Sequence, residues 1–322
     1  MSCFSTRMGV FILLGLFTIG CGTTGQPQPP VAGKSIVKKT NIRLKGFRRA
    51  YRLHIPAVFT PDEPLPLVIV LHGAFSTAER MEQETGFSQL ADREKFLVAY
   101  PNGMGIFGLL QHWNAGHCCG RAKKDRVDDV GFLDEMIKEI QRYVMVDDRR
   151  IYVAGFSNGG MLAHRYAAER SQTVAAAATL AASIGGRHED DGEIWQIPAP
   201  KNRVPLLMMH GTADPSVPYA GGESTQHGGR FYLSVKESAA FWQKQNRCPP
   251  SPEKQSLRQG RVLVTRWKGS GPRQALVLYT LKDWRHQWPG RYFTEKLPVS
   301  HPLYAFDGTR RIWEFFKSYS LP

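Results

Sequence analysis

Short runs of consecutive apolar residues alternate along the chain with longer segments in which apolar residues recur every three or four positions. The short runs are bounded by Gly or Pro, which is typical of buried β-strands. They are Leu67–Leu71, Phe96–Tyr100, Ile151–Ala154, Val174–Leu180 and Leu206–Met209. The longer segments are predicted helices, namely Met81–Lys95, Asp128–Val146, Gly159–Arg170 and Tyr232–Gln245. This alternation predicts an α/β fold, with a mostly parallel central sheet and helices on both faces.

The segments before and after these elements add further predicted strands and a helix to the same fold. Ile36–Leu44 and Tyr51–Ile55 alternate polar and apolar residues, which predicts half-exposed antiparallel strands that begin a mixed sheet. Ala275–Leu281 predicts a last central strand, and Thr309–Tyr319 predicts a closing helix. We therefore expect one catalytic domain over residues 36–322, with the charged, Gly- and Pro-rich segment Gly185–Lys201 as a lid or insertion.

The first residues predict export. Arg7 precedes an apolar run, Met8–Ile19, that is too short to span a bilayer comfortably, so residues 1–20 are predicted to be a signal peptide. The run ends in Thr18-Ile19-Gly20-Cys21, which resembles a bacterial lipobox with Thr in place of the usual Leu. Cys21 is then a lipidation site; the alternative is a simple secretory signal. Residues 21–35 have the composition of a flexible tether, and we expect a secreted or lipid-anchored, extracytoplasmic protein.

Charge and cysteines limit the partners. The formal net charge is +14, but Lys and Arg are scattered, which favours a solvated surface over a nucleic-acid site. Membrane contact is expected only through the N-terminal lipid. Cys118, Cys119 and Cys248 are disulfide candidates in an oxidising compartment, and the adjacent pair permits one long-range bridge to Cys248. Further ligands at zinc spacing are lacking, so neither a metal nor another cofactor is expected.

The segment around Ser157 carries the sharpest chemical signal. The motif Gly155-Phe156-Ser157-Asn158-Gly159 follows the predicted strand Ile151–Ala154 and opens a predicted helix, which is the context of a nucleophile elbow. The sharp turn requires small residues two positions away on each side of the serine. Ser157 is therefore the predicted nucleophile, and the backbone N–H of Asn158, at a helix N-terminus, is one predicted oxyanion donor.

A second oxyanion donor is expected after an earlier strand. Leu71-His72-Gly73-Ala74 stands at that position, and we assign the donor to the backbone N–H of Ala74, with Phe75 as the alternative. A histidine at the end of such a strand is more often structural than catalytic. We therefore expect His72 to bind loop backbone and shape the oxyanion hole.

Chain order places the acid and the base after the nucleophile. Asp214 follows the predicted strand Leu206–Met209 in a loop fixed by prolines, and it is the predicted acid. His286 follows Ala275–Leu281 in a loop and is the predicted base. The competitor, His301, has no strand before it and is expected to be a surface residue.

These segments together resemble the polyhydroxybutyrate depolymerase and feruloyl esterase group of α/β-hydrolases, whose members are often exported and sometimes lipoproteins. The resemblance runs from about Tyr51 to the C-terminal helix. Its pieces are Leu71-His72-Gly73, Trp113-Asn114-Ala115-Gly116, Cys118-Cys119-Gly120, Asp128-Asp129-Val130-Gly131-Phe132, Ser157-Asn158-Gly159-Gly160-Met161, His210-Gly211-Thr212-Ala213-Asp214 and His286-Gln287-Trp288-Pro289-Gly290. The resemblance implies that Trp113 and the Cys118-Cys119 loop border the cleft, and that one cysteine of the pair bonds to Cys248.

The chain departs from the family pattern at two places. Trp284 and Arg285 stand where the family usually has small glycines before the catalytic histidine, and Ala74-Phe75 stands where it often has Cys-Gly. We expect these changes to alter the width or charge of the cleft. Aromatic side chains at Trp113, Trp284 and Trp288 are candidates for stacking on an aromatic acyl group or a sugar.

The sequence thus predicts a serine carboxylic ester hydrolase that works through an acyl-enzyme. The expected substrates are feruloyl or acetyl esters of polysaccharides, or hydroxyalkanoate esters of the polyhydroxybutyrate type. One alternative is a tethered binding lipoprotein that keeps the fold without turnover, against which the intact Ser, Asp and His argue. Another is a peptidase of the prolyl-oligopeptidase type, but such enzymes normally add a propeller domain for which this length leaves no room.

Overall fold

The computed structural model describes residues 32–44, 47–106, 109–187, 192–269 and 274–322. The predicted signal peptide (1–20), the predicted lipidation site Cys21 and most of the predicted tether (21–35) lie outside these ranges. In the described part of the chain, no helix is long and apolar enough to cross a membrane.

The described ranges contain strands of two to eleven residues and helices of four to thirteen residues. The strands are β1 Ser35–Leu44, β2 Phe47–His54, β3 Leu65–Leu71, β4 Leu97–Pro101, β5 Met104–Ile106, β6 Leu109–His112, β7 Val146–Phe156, β8 Ala176–Leu180, β9 Gly185–Arg187, β10 Trp195–Gln196, β11 Leu206–Gly211, β12 Gly222–Glu223, β13 Phe231–Tyr232, β14 Glu253–Leu257, β15 Val262–Lys268 and β16 Gln274–Leu281. The helices are α1 Ala78–Thr85, α2 Phe87–Glu94, α3 Gly120–Lys124, α4 Asp129–Gln141, α5 Asn158–Glu169, α6 Val235–Gln245, α7 Arg291–Thr294 and α8 Gly308–Phe316.

A ten-stranded sheet organises the fold, in the order β1-β2-β4-β3-β7-β8-β11-β16-β15-β14. The six strands from β4 to β16 in this order run parallel, and antiparallel pairs close both edges. The predicted α/β-hydrolase fold is confirmed. Because the central strands are parallel, their carboxyl ends meet at one edge, and the loops after β3, β7, β11 and β16 share that edge.

Strand β3 shows why both faces of the sheet are covered. All seven of its residues are buried. Leu67 and Ile69 belong to one hydrophobic cluster, which includes α4 and α5, whereas Val68 and Val70 belong to a second cluster, which includes α8. Successive side chains of a strand point to opposite faces, so a continuous apolar run is stable only between two packed layers.

Several elements differ from the sequence prediction. The helix predicted over Met81–Lys95 is divided into α1 and α2 at Gly86, whose φ of 67° is left-handed and ends the first helix. The β14–β15 hairpin was not predicted. The segment predicted as a lid supplies β9 and β10 of a second, four-stranded sheet in the order β10-β9-β13-β12, whose Trp195 stacks on His117.

Candidate active site

The turn between β7 and α5 presents Ser157. Its φ of 54° and ψ of −123° form a backbone conformation that is unusual for a residue other than glycine. Two glycines permit the turn: a Cβ at Gly155 would collide with the carbonyl of Gly159, and one at Gly159 would collide with the carbonyls of Leu71 and His72. The turn is tied to the sheet by Ser157 N–H, which donates to the Leu180 carbonyl at 2.9 Å. The half-buried hydroxyl thus stands at the carboxyl edge of the central strands.

Three side chains from three loops form a continuous hydrogen-bonded chain. The Nε2 atom of His286 lies 2.9 Å from Ser157 Oγ, and its Nδ1 atom lies 2.7 Å from Asp214 Oδ2. The histidine side chain is 19% exposed and the aspartate side chain is fully buried. A neutral imidazole in this position donates from Nδ1 to the carboxylate and accepts at Nε2, so the arrangement can remove a proton from the serine.

Asp214 is held by more than His286. Its Oδ1 accepts the N–H groups of Ser216 and Val217, both at 2.9 Å. Burial would raise the pKa of Asp214, but hydrogen bonds from His210 and His286 hold that pKa well below its ordinary value. The carboxylate is therefore ionised when it faces the imidazole.

The loop after β3 and the start of α5 supply backbone N–H groups beside Ser157. Asn158 is the first residue of α5, where N–H groups have no intrahelical partner. The N–H of Phe75 donates to the Gln111 carbonyl at 2.9 Å, whereas within the described ranges the N–H of Ala74 makes no backbone hydrogen bond. Of the two sequence alternatives, Ala74 is the one with an available donor.

His72 is part of the loop framework. It is fully buried, with Nδ1 2.7 Å from the Gly73 carbonyl and Nε2 accepting the N–H of Gly103 at 3.0 Å. These partners require a neutral ring with the proton on Nδ1. Burial, the largest influence, lowers the pKa of His72 to about 4, in agreement with a neutral ring. Its contacts are those of a residue that shapes the loop.

Asn158 joins the elbow to the loop that contains Trp113. Its side-chain Oδ1 accepts Trp113 N–H at 2.7 Å, and its Nδ2 donates to the Trp113 carbonyl at 3.0 Å. The indole Nε1 of Trp113 in turn donates to the His72 carbonyl at 2.9 Å. This amide clamp holds together two of the loops that surround Ser157.

A buried ion pair between Arg49 and Asp129 stabilises the loop that contains Trp113. Arg49 Nη2 lies 2.7 Å from Asp129 Oδ1, and both side chains are buried. The second oxygen of Asp129 accepts the N–H of Asn114 at 2.7 Å. Burial raises the pKa of Asp129, while the Arg49 guanidinium opposes that change. The Asp128-Asp129 segment singled out in the sequence is thus connected to the residue after Trp113.

The predicted tryptophan contacts with substrate are not supported. Trp113 is fully buried under its hydrogen bond to His72, and Trp288 is 1% exposed, with Nε1 donating to Thr309 Oγ1 at 2.9 Å. Neither ring has a free face. The exposed aromatic residue of this region is instead Phe75, at 52% exposure, and Phe156 lies against the His286 ring with centroids 4.8 Å apart.

The structure does not contain the expected long-range disulfide. The sulfur atoms of Cys118 and Cys119 lie next to each other, and Cys248, after α6, is a partly buried thiol. Burial raises the pKa of the Cys248 thiol above its ordinary value.

Two further histidines differ in whether they reach the triad. His301 lies outside the hydrogen-bonded chain and accepts the N–H of Leu303 at 3.1 Å. His210, by contrast, reaches Asp214, with 3.4 Å between Nε2 and Oδ2. The motif His210-Gly211-Thr212-Ala213-Asp214 does not predict this contact, because a motif does not tell where a side chain points.

Comparison with known proteins shows similarity to esterases. Residues 49–190 match the family described as Esterase PHB depolymerase, a range that contains Ser157 and both predicted oxyanion donors. The chain is 33% identical over 201 residues to feruloyl esterase B of Piromyces equi, covering 62% of this chain and 35% of the relative. It is also 33% identical over 196 residues to the putative esterase NocK of Nocardia uniformis subsp. tsuyamanensis, covering 60% and 52%.

The chain is therefore similar to this esterase family over residues 49–190. It spans about a third to a half of the length of these two curated relatives. The acetyl xylan esterase from Aspergillus awamori shares the fold, with a TM-score of 0.58 at 12% identity over 88% of this chain and 99% of that one. Asp214 and His286 lie beyond the residues that match the family model, so their roles rest on the geometry described above.

Proposed function

We propose that this chain is a serine carboxylic ester hydrolase with Ser157 as nucleophile, His286 as general base and Asp214 as the acid that orients it. The observation that carries the proposal is the position of the His286 ring, 2.9 Å from Ser157 Oγ and 2.7 Å from Asp214 Oδ2. The strained backbone of Ser157 supports it, since strain of this kind is maintained where it serves function. The match of residues 49–190 to an esterase family supports the reaction class.

The chemistry proceeds in two steps. His286 Nε2 takes the Ser157 proton while Oγ attacks the ester carbonyl carbon, and the N–H groups of Asn158 and Ala74 bind the oxyanion. His286 then protonates the departing alcohol, which leaves an acyl-enzyme. Water, deprotonated by the same ring, attacks the acyl carbonyl and releases the acid and a protonated Ser157. Throughout, the Asp214 carboxylate fixes the Nδ1–H tautomer and stabilises the imidazolium.

For the substrate we propose feruloyl or acetyl esters of plant polysaccharides, with hydroxyalkanoate esters as the second class. The names of the relatives and the family support these two classes: a feruloyl esterase, a bifunctional acetylxylan esterase/xylanase and the PHB depolymerase family. The exposed ring of Phe75, next to the predicted oxyanion donor, offers an apolar face to an aromatic acyl group. Export rests on residues 1–21, with Cys21 as the proposed lipid anchor.

The test compares the signal-deleted chain with its Ser157→Ala variant on p-nitrophenyl acetate and butyrate, methyl ferulate and hydroxybutyrate oligomers. Turnover that the variant loses supports the esterase, and the ratio of kcat/KM values ranks the substrates. Equal activity of the variant, or no activity on any ester, would refute the assignment. Mass spectrometry of membrane fractions tests the anchor, and an unmodified soluble form counts against it.

A further inference from the structure

His210 is the penultimate residue of strand β11, four residues before Asp214, and it is 3% exposed. Its Nε2 lies 2.8 Å from the Val217 carbonyl oxygen and 3.4 Å from Asp214 Oδ2. Both neighbours are hydrogen-bond acceptors, so Nε2 carries a proton and donates. Asp214 Oδ2 therefore lies between two imidazole rings, one from His286 and one from His210.

The His210 ring also acts on the second carboxylate oxygen of Asp214, Oδ1, through the backbone turn at residues 216 and 217. Asp214 Oδ1 accepts the N–H groups of Ser216 and Val217, and the carbonyl of Val217 is the group that His210 binds most closely. The ring of Tyr219 packs edge-on against His210 with centroids 5.7 Å apart. His210 thus fixes the turn that holds one carboxylate oxygen and contacts the other oxygen directly.

We propose that His210 is a positioning residue for the ester hydrolysis proposed above, on which this inference rests. It keeps Asp214 Oδ2 directed at His286, and it shares the negative charge of the oxygen that His286 uses. His210 does not touch Ser157 or the reacting carbonyl in this arrangement, so its effect on the reaction passes through Asp214.

This role predicts a specific change in pH dependence. Without the His210 donor, the whole carboxylate charge acts on His286 and stabilises its imidazolium, so the acid limb of kcat/KM moves to higher pH. Other groups that face this pair are His227, which feels the charges of Arg230 and His286, and Tyr232, which feels that of Asp214. They remain in the variants, so they do not cause the shift.

The experiment uses His210→Phe, which removes the donor; His210→Asn, which keeps an N–H; and His164→Phe as the matched control. His164 is also buried but accepts a hydrogen bond from Trp242, and within the described ranges it makes no hydrogen bond with Ser157, Asp214 or His286. We expect His210→Phe to lower kcat about ten- to hundred-fold, the range for one hydrogen bond to a charged group, with KM little changed. His210→Asn is expected to recover most of kcat, and His164→Phe to keep the wild-type pH profile. His210→Met replaces His210→Phe if the latter does not fold.

A second readout needs no turnover. The proton between His286 Nδ1 and Asp214 gives a far-downfield proton NMR resonance, and we expect it to shift in His210→Phe and to stay in place in His164→Phe. An unchanged resonance, an unshifted acid limb, or failure of His210→Asn to recover kcat overturns the proposal for His210. Absence of Ser157-dependent turnover in the wild type overturns the esterase proposal instead, while the NMR comparison still decides how His210 acts on Asp214.

Discussion

Replacing Asn158 by alanine separates the structural role of its side chain from the proposed role of its backbone. The amide side chain makes two hydrogen bonds with the backbone of Trp113, at 2.7 and 3.0 Å, and it is 1% exposed. Alanine removes both bonds and leaves the N–H of Trp113 buried without its partner, whereas the Trp113 carbonyl still accepts the N–H of Cys119 at 3.0 Å. The backbone N–H of residue 158, the proposed oxyanion donor, is unchanged.

The substitution is expected to change the free energy of unfolding strongly and kcat only weakly. The buried N–H left without a partner costs about 1–3 kcal/mol and the lost bond to the carbonyl about 0.5–1.5 kcal/mol, so the Asn158→Ala variant is expected to lose about 1.5–4.5 kcal/mol of unfolding free energy. Loss of an oxyanion donor lowers kcat about 10²–10³-fold. Because the variant keeps that donor, we expect the folded variant to lose less than about tenfold in kcat, through loosening of the Trp113 loop.

Asn246 provides a matched control, because its side chain clamps the backbone of Val204 in the same way, at 3.0 and 2.8 Å, away from Ser157. Urea unfolding, followed by tryptophan fluorescence, measures stability, and hydrolysis of p-nitrophenyl butyrate at 25 °C measures kcat. Asn246→Ala is expected to lose comparable stability and no activity. The reasoning is refuted if Asn158→Ala unfolds within about 0.5 kcal/mol of the wild type, or if it loses kcat as strongly as an oxyanion-hole variant.

Three further substitutions, at Asp214, Arg49 and Gly159, test the buried charges and the turn that carries Ser157. Asp214→Asn is expected to lower kcat about 10⁴-fold in steady-state assays, as loss of the orienting carboxylate does in serine proteases. The pKa of Asp214 is depressed in the folded protein, so the ionised carboxylate stabilises the fold above its ordinary pKa and loses this contribution as pH falls. The difference in unfolding free energy between the wild type and Asp214→Asn, measured in urea, should therefore shrink from neutral pH to about pH 3. Arg49→Met leaves the Asp129 carboxylate buried without its cationic partner and is expected to lower the free energy of unfolding in urea by about 3–5 kcal/mol. The double variant with Arg49→Met and Asp129→Leu is expected to recover most of that loss. Gly159→Ala is expected to abolish soluble folded protein or serine-dependent activity, because its Cβ meets two backbone carbonyls; a stable and active variant would contradict the model of the turn.

The fold was largely predictable because its central strands are buried on both faces. Such strands appear in the sequence as short continuous apolar runs, and the predicted Leu206–Met209 differs from the observed β11, Leu206–Gly211, by two residues at one end. The β14–β15 hairpin was missed because an edge hairpin contributes only one buried face; β14 is almost wholly exposed. Its residues therefore give no strong apolar signal.

At the site, chain order and the serine motif identified the three residues that the structure brings together, since these features follow from the topology of the fold. What depends on the direction of individual side chains was not predictable. Trp113 and Trp288 turned inward to hydrogen-bond partners at His72 and Thr309. His210 turned toward Asp214, and no spacing rule distinguishes that orientation from one into the core.

The departure at Trp284 shows how the position of His286 depends on the aspartate loop. Trp284 is 7% exposed, and its Nε1 donates to the Gln287 carbonyl at 2.9 Å, which closes the turn that carries His286. Its own carbonyl accepts the N–H of Ala213 at 3.1 Å, and a Cβ at Gly211 would collide with that carbonyl. The bulky residue therefore does not narrow the cleft. It packs inward and attaches the loop of the base to the loop of the acid, so that the 2.7 Å contact between His286 and Asp214 is set by backbone on both sides.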